Sequence, residues 1–332
     1  MGVSFRQIRE TCQLPVRSGN DVAGLLFGDY ASLPITKFFV DLKLTPNIAT
    51  LGMLVCGLAG AALQMGGPPH GQSWAFAGAL LLLLYYVLDC VDGEVARFQG
   101  VEDMRWGYYD YLFHMLVKPL CFLGVGVGCW RQSGEPWWLV AGGVAAIAVL
   151  WLKIFLEIPG ILFMHGVLSG APGGSRAFHR FLRSVSPGLA GQGSNGAASA
   201  DDTPAPSAPA ASPHGRSDES AFRLRFDAVT LRALFTNFDI GLLLLVVATL
   251  VDLRAGPWQV GGVVLEARSI WLLFYAAVLP LDFLDHVRTY LRRGHFASET
   301  QRLLVLAHHY RMQAAPESSG LAGPGGATPS SS

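Results

Sequence analysis

Three aspartates stand close together in the first third of the chain: Asp89 and Asp92 in LLLLYYVLDCVDGEVARFQG, and Asp110 in MRWGYYDYLFHMLVKPL. On a helix, Asp89, Asp92, Gly93 and Ala96 fall at i, i+3, i+4 and i+7, so two acids and two small residues share one face. Gly107, Asp110 and His114 fall at i, i+3 and i+7 and share another. The small residues predict that two helix backbones approach closely and gather the two acidic faces over a narrow gap. Carboxylates so gathered repel one another unless a cation neutralises them, and oxygen ligands of this kind select a hard divalent ion, Mg²⁺ or Mn²⁺. With Arg97 beside it to hold phosphate oxygens, such an ion suits phosphoryl-group chemistry. One acid at a helix end is commonly just solvated. The argument rests on the conjunction: two acids three apart, Gly-x-x-Ala-Arg directly after, and a third acid one short loop later.

The elements that must hold these residues are membrane spans. Of 332 residues, 51% are apolar and 14% charged, with no net charge. That excludes a disordered chain, a nucleic-acid binder and an acidic-tail protein, each of which needs a charge excess. A mean hydropathy of +0.38 points to a membrane protein. Six segments have the length and apolarity to cross a bilayer, at roughly 47–66, 73–92, 107–130, 136–164, 231–251 and 263–284. The expected fold class is therefore all-α, an integral membrane bundle of six transmembrane helices. A carboxylate costs ~2.5 kcal/mol or more at the centre of such a helix, so the acids need a reason to persist.

Orientation follows from the basic residues. The loops around 67–72, 131–135 and 252–268 hold only Arg131, Arg254 and Arg268 of the 24 Lys and Arg. Nearly all the others fall in the N-terminal segment, the 93–106 loop, the 166–230 connection and the C-terminal tail, so both termini are expected in the cytoplasm and the protein in the inner (cell) membrane. Trp74, Trp106, Trp130, Trp137 and Trp138 are expected at headgroup level. The opening residues have no apolar core or cleavage site, so no removable signal peptide is expected. Cys12, Cys56, Cys90, Cys121 and Cys129 form no CxxC pair and read as small buried hydrophobes. The organisation expected is an interfacial segment over 1–45, spans one to four over 46–165, a largely disordered linker over 166–226, spans five and six over 227–295, and a tail over 296–332. Arg176, Arg180 and Arg183 among Phe178, Phe181 and Leu182 form a basic-apolar patch suited to an anionic leaflet.

Asp89-Cys-Val-Asp92-Gly93-Glu-Val-Ala96-Arg97, followed by Asp110, resembles the signature of the CDP-alcohol phosphotransferases, D-x2-D-G-x2-A-R-x8-G-x3-D-x3-D. Lys43-Leu-Thr45-Pro46-Asn47-Ile-Ala-Thr50 is similar to the Thr-Pro-Asn entry that many members carry ahead of their first helix. The resemblance covers about residues 35–165 by motif and the C-terminal spans by architecture only. It implies a cytoplasm-facing site that binds a CDP-linked alcohol, CDP-diacylglycerol being favoured, with one or two divalent metals. A small or lipid hydroxyl acceptor attacks the phosphorus bonded to the alcohol moiety and CMP leaves, a step of phospholipid synthesis. Asp89, Asp92 and Asp110 would be metal ligands (Mg²⁺ or Mn²⁺), Gly93 and Ala96 would admit the nucleotide close to the backbone, Arg97 would support the phosphates or the loop, and Asn47 belongs to the entry motif beside the nucleotide. A homodimer in the lipid is a family expectation.

Two positions depart from the family pattern. Trp106 stands where the family has glycine, with Gly107 next to it. His114 stands where the family has a fourth aspartate, thought to be the general base. Three roles are open to the imidazole: a base, for which a pKa of ~6.5 is suited; a nitrogen ligand to a second metal; or a packed residue in an inactive homologue. The base is the preferred expectation, because the residue occupies the right helical turn. The missing carboxylate leaves the site one negative charge short, which should weaken any second metal.

Other residues carry blander readings. Lys118 snorkels or pairs, Lys153 and Glu157 form an i, i+4 ion pair, and Arg232, Arg288, Arg292 and Arg293 serve topology or an acceptor-phosphate pocket. A transporter or proton relay is the reading from a different class. It expects acids near the midplane in repeated halves, whereas these cluster at one end and the last two spans carry no second copy.

Overall fold

A computed structural model describes residues 3–15, 23–67, 70–101, 104–168, 236–260 and 262–293. A short helix α1 (Phe5–Ile8) widens into a turn over Arg9–Gln13, and a second wide turn over Gly24–Gly28 leads into α2 (Asp29–Asp41). Long helices follow: α3 (Pro46–Gln64), α4 (Gly71–Gln99), α5 (Met104–Ser133) and α6 (Trp137–Leu168). After α7 (Phe238–Ala255), strands β1 (Trp258–Val260) and β2 (Val263–Leu265) make an antiparallel hairpin with Trp258 opposite Leu265, and α8 (Ala267–Arg293) completes the described fold.

Local chemistry sets the ends that matter to the site. Pro46 fills the first turn of α3, where its missing N–H costs nothing, and Thr45 precedes it in extended backbone. Gly100, at φ +63°, takes the left-handed conformation that closes α4. The Asn237 side chain accepts from the backbone N–H of Asp239 at 2.8 Å and of Ile240 at 3.0 Å, which starts α7.

Five helices, over Pro46–Gln64, Gly71–Gln99, Trp106–Ser133, Trp137–Leu156 and Ala267–Tyr290, are long and apolar enough to cross a membrane. They expose large apolar side chains such as Val55, Val140, Ile147 and Leu281, which water would penalise and lipid accepts. Helix α7 lies where a fifth span was expected; it is as apolar as α3, but its 18 residues carry three charged side chains, Asp239, Asp252 and Arg254. The expected sixth span begins too early: Val263–Leu265 belong to the hairpin. The expected linker over 166–226, the basic-apolar patch within it and the tail over 296–332 lie almost wholly outside the described residues.

The chain divides into two compact units, Met1–Ile154 with Ser212–His286, and Phe155–Ala211 with Val287–Ser332. Among the described residues, the second holds the last turns of α6 and α8, where the Phe155 and Tyr290 rings lie 5.1 Å apart edge to face. The first unit contains the core. Phe122 stacks on Trp271 at 5.2 Å and meets Tyr275 at 5.7 Å, with Leu242, Leu245, Val117 and Tyr85 packed around them.

Small residues let these helices touch backbone to backbone. A Cβ on Gly124 would come within 2.4 Å of the Ala61 carbonyl, and one on Gly128 within 2.1 Å of the Gln64 carbonyl, so α5 lies directly on α3. Gly60 and Gly78 do the same for α3 and α4, and Gly126 and Gly142 for α5 and α6. Near these contacts Arg268 is fully buried, with Nε donating to Glu266 Oε2 at 2.7 Å, while Asp252 accepts from the backbone N–H of Arg268 at 3.0 Å. Arg268, expected in the loop around 252–268, is thus half of an interior ion pair. Trp138, expected at headgroup level, is likewise fully buried, its ring against that of Trp137. All five cysteines are free, with Cys12, Cys121 and Cys129 buried. Burial pushes the Cys12 thiol up to about 11, helped by the nearby Glu94 carboxylate.

Candidate functional site

The acids lie where α4 ends and α5 begins, beside the first turn of α3. Across that junction His114 Nε2 stands 2.9 Å from Asp89 Oδ1 and 3.5 Å from Asp110 Oδ1. One ligand atom from each of Asp89, Asp110 and His114 lies within 4.8 Å of the others. The other ring nitrogen, Nδ1, is hydrogen-bonded to the Tyr85 hydroxyl, and the two rings meet edge to face at 5.6 Å. Tyr85 and Asp89 are one turn apart on α4, as Asp110 and His114 are on α5, so His114 reaches across to α4 through Tyr85 and Asp89 while its contact with Asp110 stays within α5.

Asp92, the next acid along α4, accepts a hydrogen bond from Thr50 Oγ1 at 2.9 Å, which ties it to the first turns of α3. It opens onto a cavity of about 360 Å³, whose walls include Asn47 and Thr50 from α3, Asp92, Gly93 and Ala96 from α4, and Trp106, Gly107 and Asp110 from α5. That volume lies within the ~300–1,000 Å³ typical of small-ligand sites.

The cavity corrects one expectation. Gly93, Ala96 and Gly107 were expected to draw two helix backbones together over a narrow gap. Instead a Cβ added to Gly107 would meet nothing within 4 Å, and one on Gly93 would meet only the Arg97 guanidinium, at 3.2 Å. The small residues leave room for a ligand. The acids do gather, but through His114 and not through helix contact.

The donor set suits a divalent cation. Asp110 Oδ1 is buried without a hydrogen-bond partner, an arrangement that costs energy unless something binds it. Two carboxylates and one imidazole supply the oxygen and nitrogen ligands that Mn²⁺ accepts, and Asp92 adds a further carboxylate at the cavity wall. Of the residues singled out in the sequence, Asp89, Asp110 and His114 form one cluster, while Asp92, Gly93, Ala96, Asn47 and again Asp110 form the cavity wall. Arg97 is not in the cavity lining, but its guanidinium borders Gly93, and its Nε donates to the Cys12 carbonyl at 2.8 Å, which fastens the N-terminal segment to α4. Lys118 Nζ sits over the Phe238 ring at 5.1 Å and Lys153 Nζ over the Tyr111 ring at 4.9 Å, placements in keeping with cation–π packing. Arg288 is exposed, and the Glu157, Arg232, Arg292 and Arg293 side chains lie outside the described residues.

Two residues of the site, Tyr85 and Thr50, and one that anchors its helix, Glu94, escaped the sequence reading. Tyr85 lies four residues before Asp89, a spacing that could have placed it on the acidic face. Thr50 ends the Thr-Pro-Asn segment and lies one turn beyond Pro46. Glu94 gives no such signal. It is 2% exposed and accepts hydrogen bonds from Gln13 Nε2 at 2.8 Å, Ser32 Oγ at 2.7 Å and Thr36 Oγ1 at 2.5 Å, from elements far away in the chain.

No protein-family model matches the chain, and no curated protein matches it.

Proposed function

We propose that this membrane protein transfers a phosphoalcohol group, preferably phosphatidyl, from a CDP-alcohol to a hydroxyl acceptor and releases CMP. The observation that carries the proposal is the cavity bordered by Asp92, Gly93, Ala96, Asp110 and Asn47, five of the residues singled out by the resemblance, with the Asp89–Asp110–His114 cluster beside it. The cavity lies where α3 begins and α4 ends, the side that the basic residues assign to the cytoplasm. A soluble nucleotide reaches that side, and a lipid chain can lie along the apolar helices.

Asp89, Asp92 and Asp110 would hold Mg²⁺ or Mn²⁺, which supplies charge neutralisation for the diphosphate and Lewis acidity at phosphorus. The chain's own residues bind and orient. Gly93 and Ala96 leave space for a nucleotide against α4, Asn47 offers an amide to a polar edge, and Trp106 offers a ring face to a base. The acceptor oxygen forms the new P–O bond as the bond to the CMP oxygen breaks. Its proton passes to a carboxylate on the cavity wall, and CMP leaves with its phosphate ionised.

The test is purified protein in lipid nanodiscs with Mn²⁺ or Mg²⁺, labelled CDP-diacylglycerol and a panel of acceptors: glycerol phosphate, inositol phosphate, serine and diacylglycerol. CMP release dependent on both ion and acceptor is expected, with loss of at least a hundredfold in Asp92→Asn. Absence of release with every acceptor, together with absence of cytidine nucleotide binding, refutes the proposal.

A further inference from the structure

A neutral imidazole has one N–H and one lone pair, and the partners of its two nitrogens decide which is which. His114 Nε2 faces two acceptors, Asp89 Oδ1 at 2.9 Å and Asp110 Oδ1 at 3.5 Å. Nδ1 faces the hydroxyl of Tyr85, a group that can either donate or accept, on a fully buried side chain that cannot swing away. Two arrangements satisfy every atom of this pair. Without a cation, the Tyr85 O–H donates to Nδ1 and Nε2–H donates to Asp89. With a divalent ion among Asp89, Asp110 and His114, the Nε2 lone pair binds the ion and Nδ1–H donates to the Tyr85 oxygen. Between the two, the imidazole proton moves from Nε2 to Nδ1, the tyrosine keeps its own, and no side chain changes rotamer.

The second arrangement also gives a partner to the buried Asp110 Oδ1, which has no hydrogen bond in the structure. It leaves neither ring nitrogen free toward the cavity, whose lining does not include His114. We propose that His114 is a nitrogen ligand of the divalent-ion site, that Tyr85 is the positioning residue that aims its Nε2 at the ion, and that the site consequently prefers Mn²⁺ to Mg²⁺. Imidazole binds first-row transition ions well, whereas Mg²⁺ keeps to oxygen ligands. A hydrogen bond to the far nitrogen of a ligating histidine fixes ring and tautomer, and loss of such a partner typically costs 10–100-fold in metal affinity. This assignment rests on the metal-dependent reading above and goes beyond it in naming the fourth ligand and the ion it selects.

The experiment is electron paramagnetic resonance of Mn²⁺ added to the full-length protein in nanodiscs, without any nucleotide. Pulsed spectra should show modulation from one nitrogen, changed in the expected way when histidine is ¹⁵N-labelled and absent in His114→Asp, which still binds Mn²⁺. Displacement by Mg²⁺ should need about tenfold less Mg²⁺ in His114→Asp than in the parent protein. Tyr85→Phe should bind Mn²⁺ 10–100-fold more weakly with a shallower nitrogen modulation, a spectroscopic change that mere loosening of the core would not produce. Bound Mn²⁺ without histidine modulation in the parent protein overturns the inference and leaves the metal site standing, a result that needs no variant to fold. Absence of any bound Mn²⁺ overturns the inference and the metal-dependent reading together.

Discussion

Glu94 offers the most direct test of how the N-terminal segment is fastened to the helix that carries the acids. Its carboxylate receives three side-chain hydrogen bonds, from Gln13, Ser32 and Thr36, at 2.8, 2.7 and 2.5 Å. A hydrogen bond to a charged group contributes ~1.5–3 kcal/mol, but three that share one carboxylate do not add in full, because water enters when it is removed. Glu94→Ala should therefore cost ~3–5 kcal/mol, because it leaves the Gln13, Ser32 and Thr36 donors without their acceptor at ~1–3 kcal/mol each, less than additively. Glu94→Gln is milder. Its oxygen can keep Gln13 and Ser32 while its amide donates to the Thr36 hydroxyl, so a loss of ~1–2 kcal/mol is expected. The cost falls on the attachment of the segment, so hydrogen exchange along Asp29–Asp41 is the appropriate measurement. A loss of ~3 kcal/mol raises the opening constant by about two orders of magnitude, and ~1.4 kcal/mol raises it tenfold. Equal protection in Glu94→Ala and the parent protein would refute the reasoning, and so would equal losses in the two variants, since the oxygen that glutamine retains would then be doing nothing.

Other perturbations test the frame and the cavity. Gly124→Ala places a methyl 2.4 Å from the Ala61 carbonyl and should lower stability by ~1–3 kcal/mol in thermal unfolding, whereas Gly143→Ala, with nothing within 4 Å, should be neutral or slightly stabilising. Glu266→Ala leaves the fully buried Arg268 without its partner and should cost ~3–5 kcal/mol, seen as a lower melting temperature with divalent-ion affinity unchanged. Thr50→Val removes the donor at 2.9 Å from Asp92 and should weaken nucleotide-dependent turnover about tenfold while the Mn²⁺ nitrogen signal persists, because Asp92 lies on the cavity side and His114 does not.

Much of the site could be read from spacing because its residues are neighbours along single helices. Asp89 with Asp92, and Asp110 with His114, are fixed by helical period alone, and two helices that continue as membrane spans have few ways to set those faces relative to each other. What spacing cannot supply is distant pairing. The bond from Thr50 to Asp92 crosses from α3 to α4, and the three donors to Glu94 come from positions 58 to 81 residues away. Arg97 shows the same limit from the other side. Its type and place beside the acids suggest support of phosphates or of the loop, and its Nε meets the Cys12 carbonyl, a partner no local pattern announces. The hydropathy pattern likewise located the long helices but blurred their ends, since β-branched residues such as Val263 and Val264 serve a hairpin as readily as a span.

The glycines explain why the acids stand around a space instead of inside a packed seam. On α5, Gly124 and Gly128 bring the backbone against α3 at Ala61 and Gln64, and Gly78 on α4 meets Gly60 on α3. These contacts all lie toward the ends of α4 and α5 remote from the acids. Toward the acids, Gly93 and Gly107 make no such backbone contact, which leaves a separation there. Near the acids, Gly93, Ala96 and Gly107 add no side-chain bulk to fill the separation, so a cavity of about 360 Å³ remains, reached by Asp92 and Asp110. The same residue type therefore does opposite work at the two ends of one helix: Gly124 removes a Cβ so that backbones can touch, and Gly107 removes one so that nothing need touch. A bulky residue at Gly107 should occlude ligand without destabilising the bundle, while even a methyl at Gly124 should destabilise the bundle before it alters the cavity.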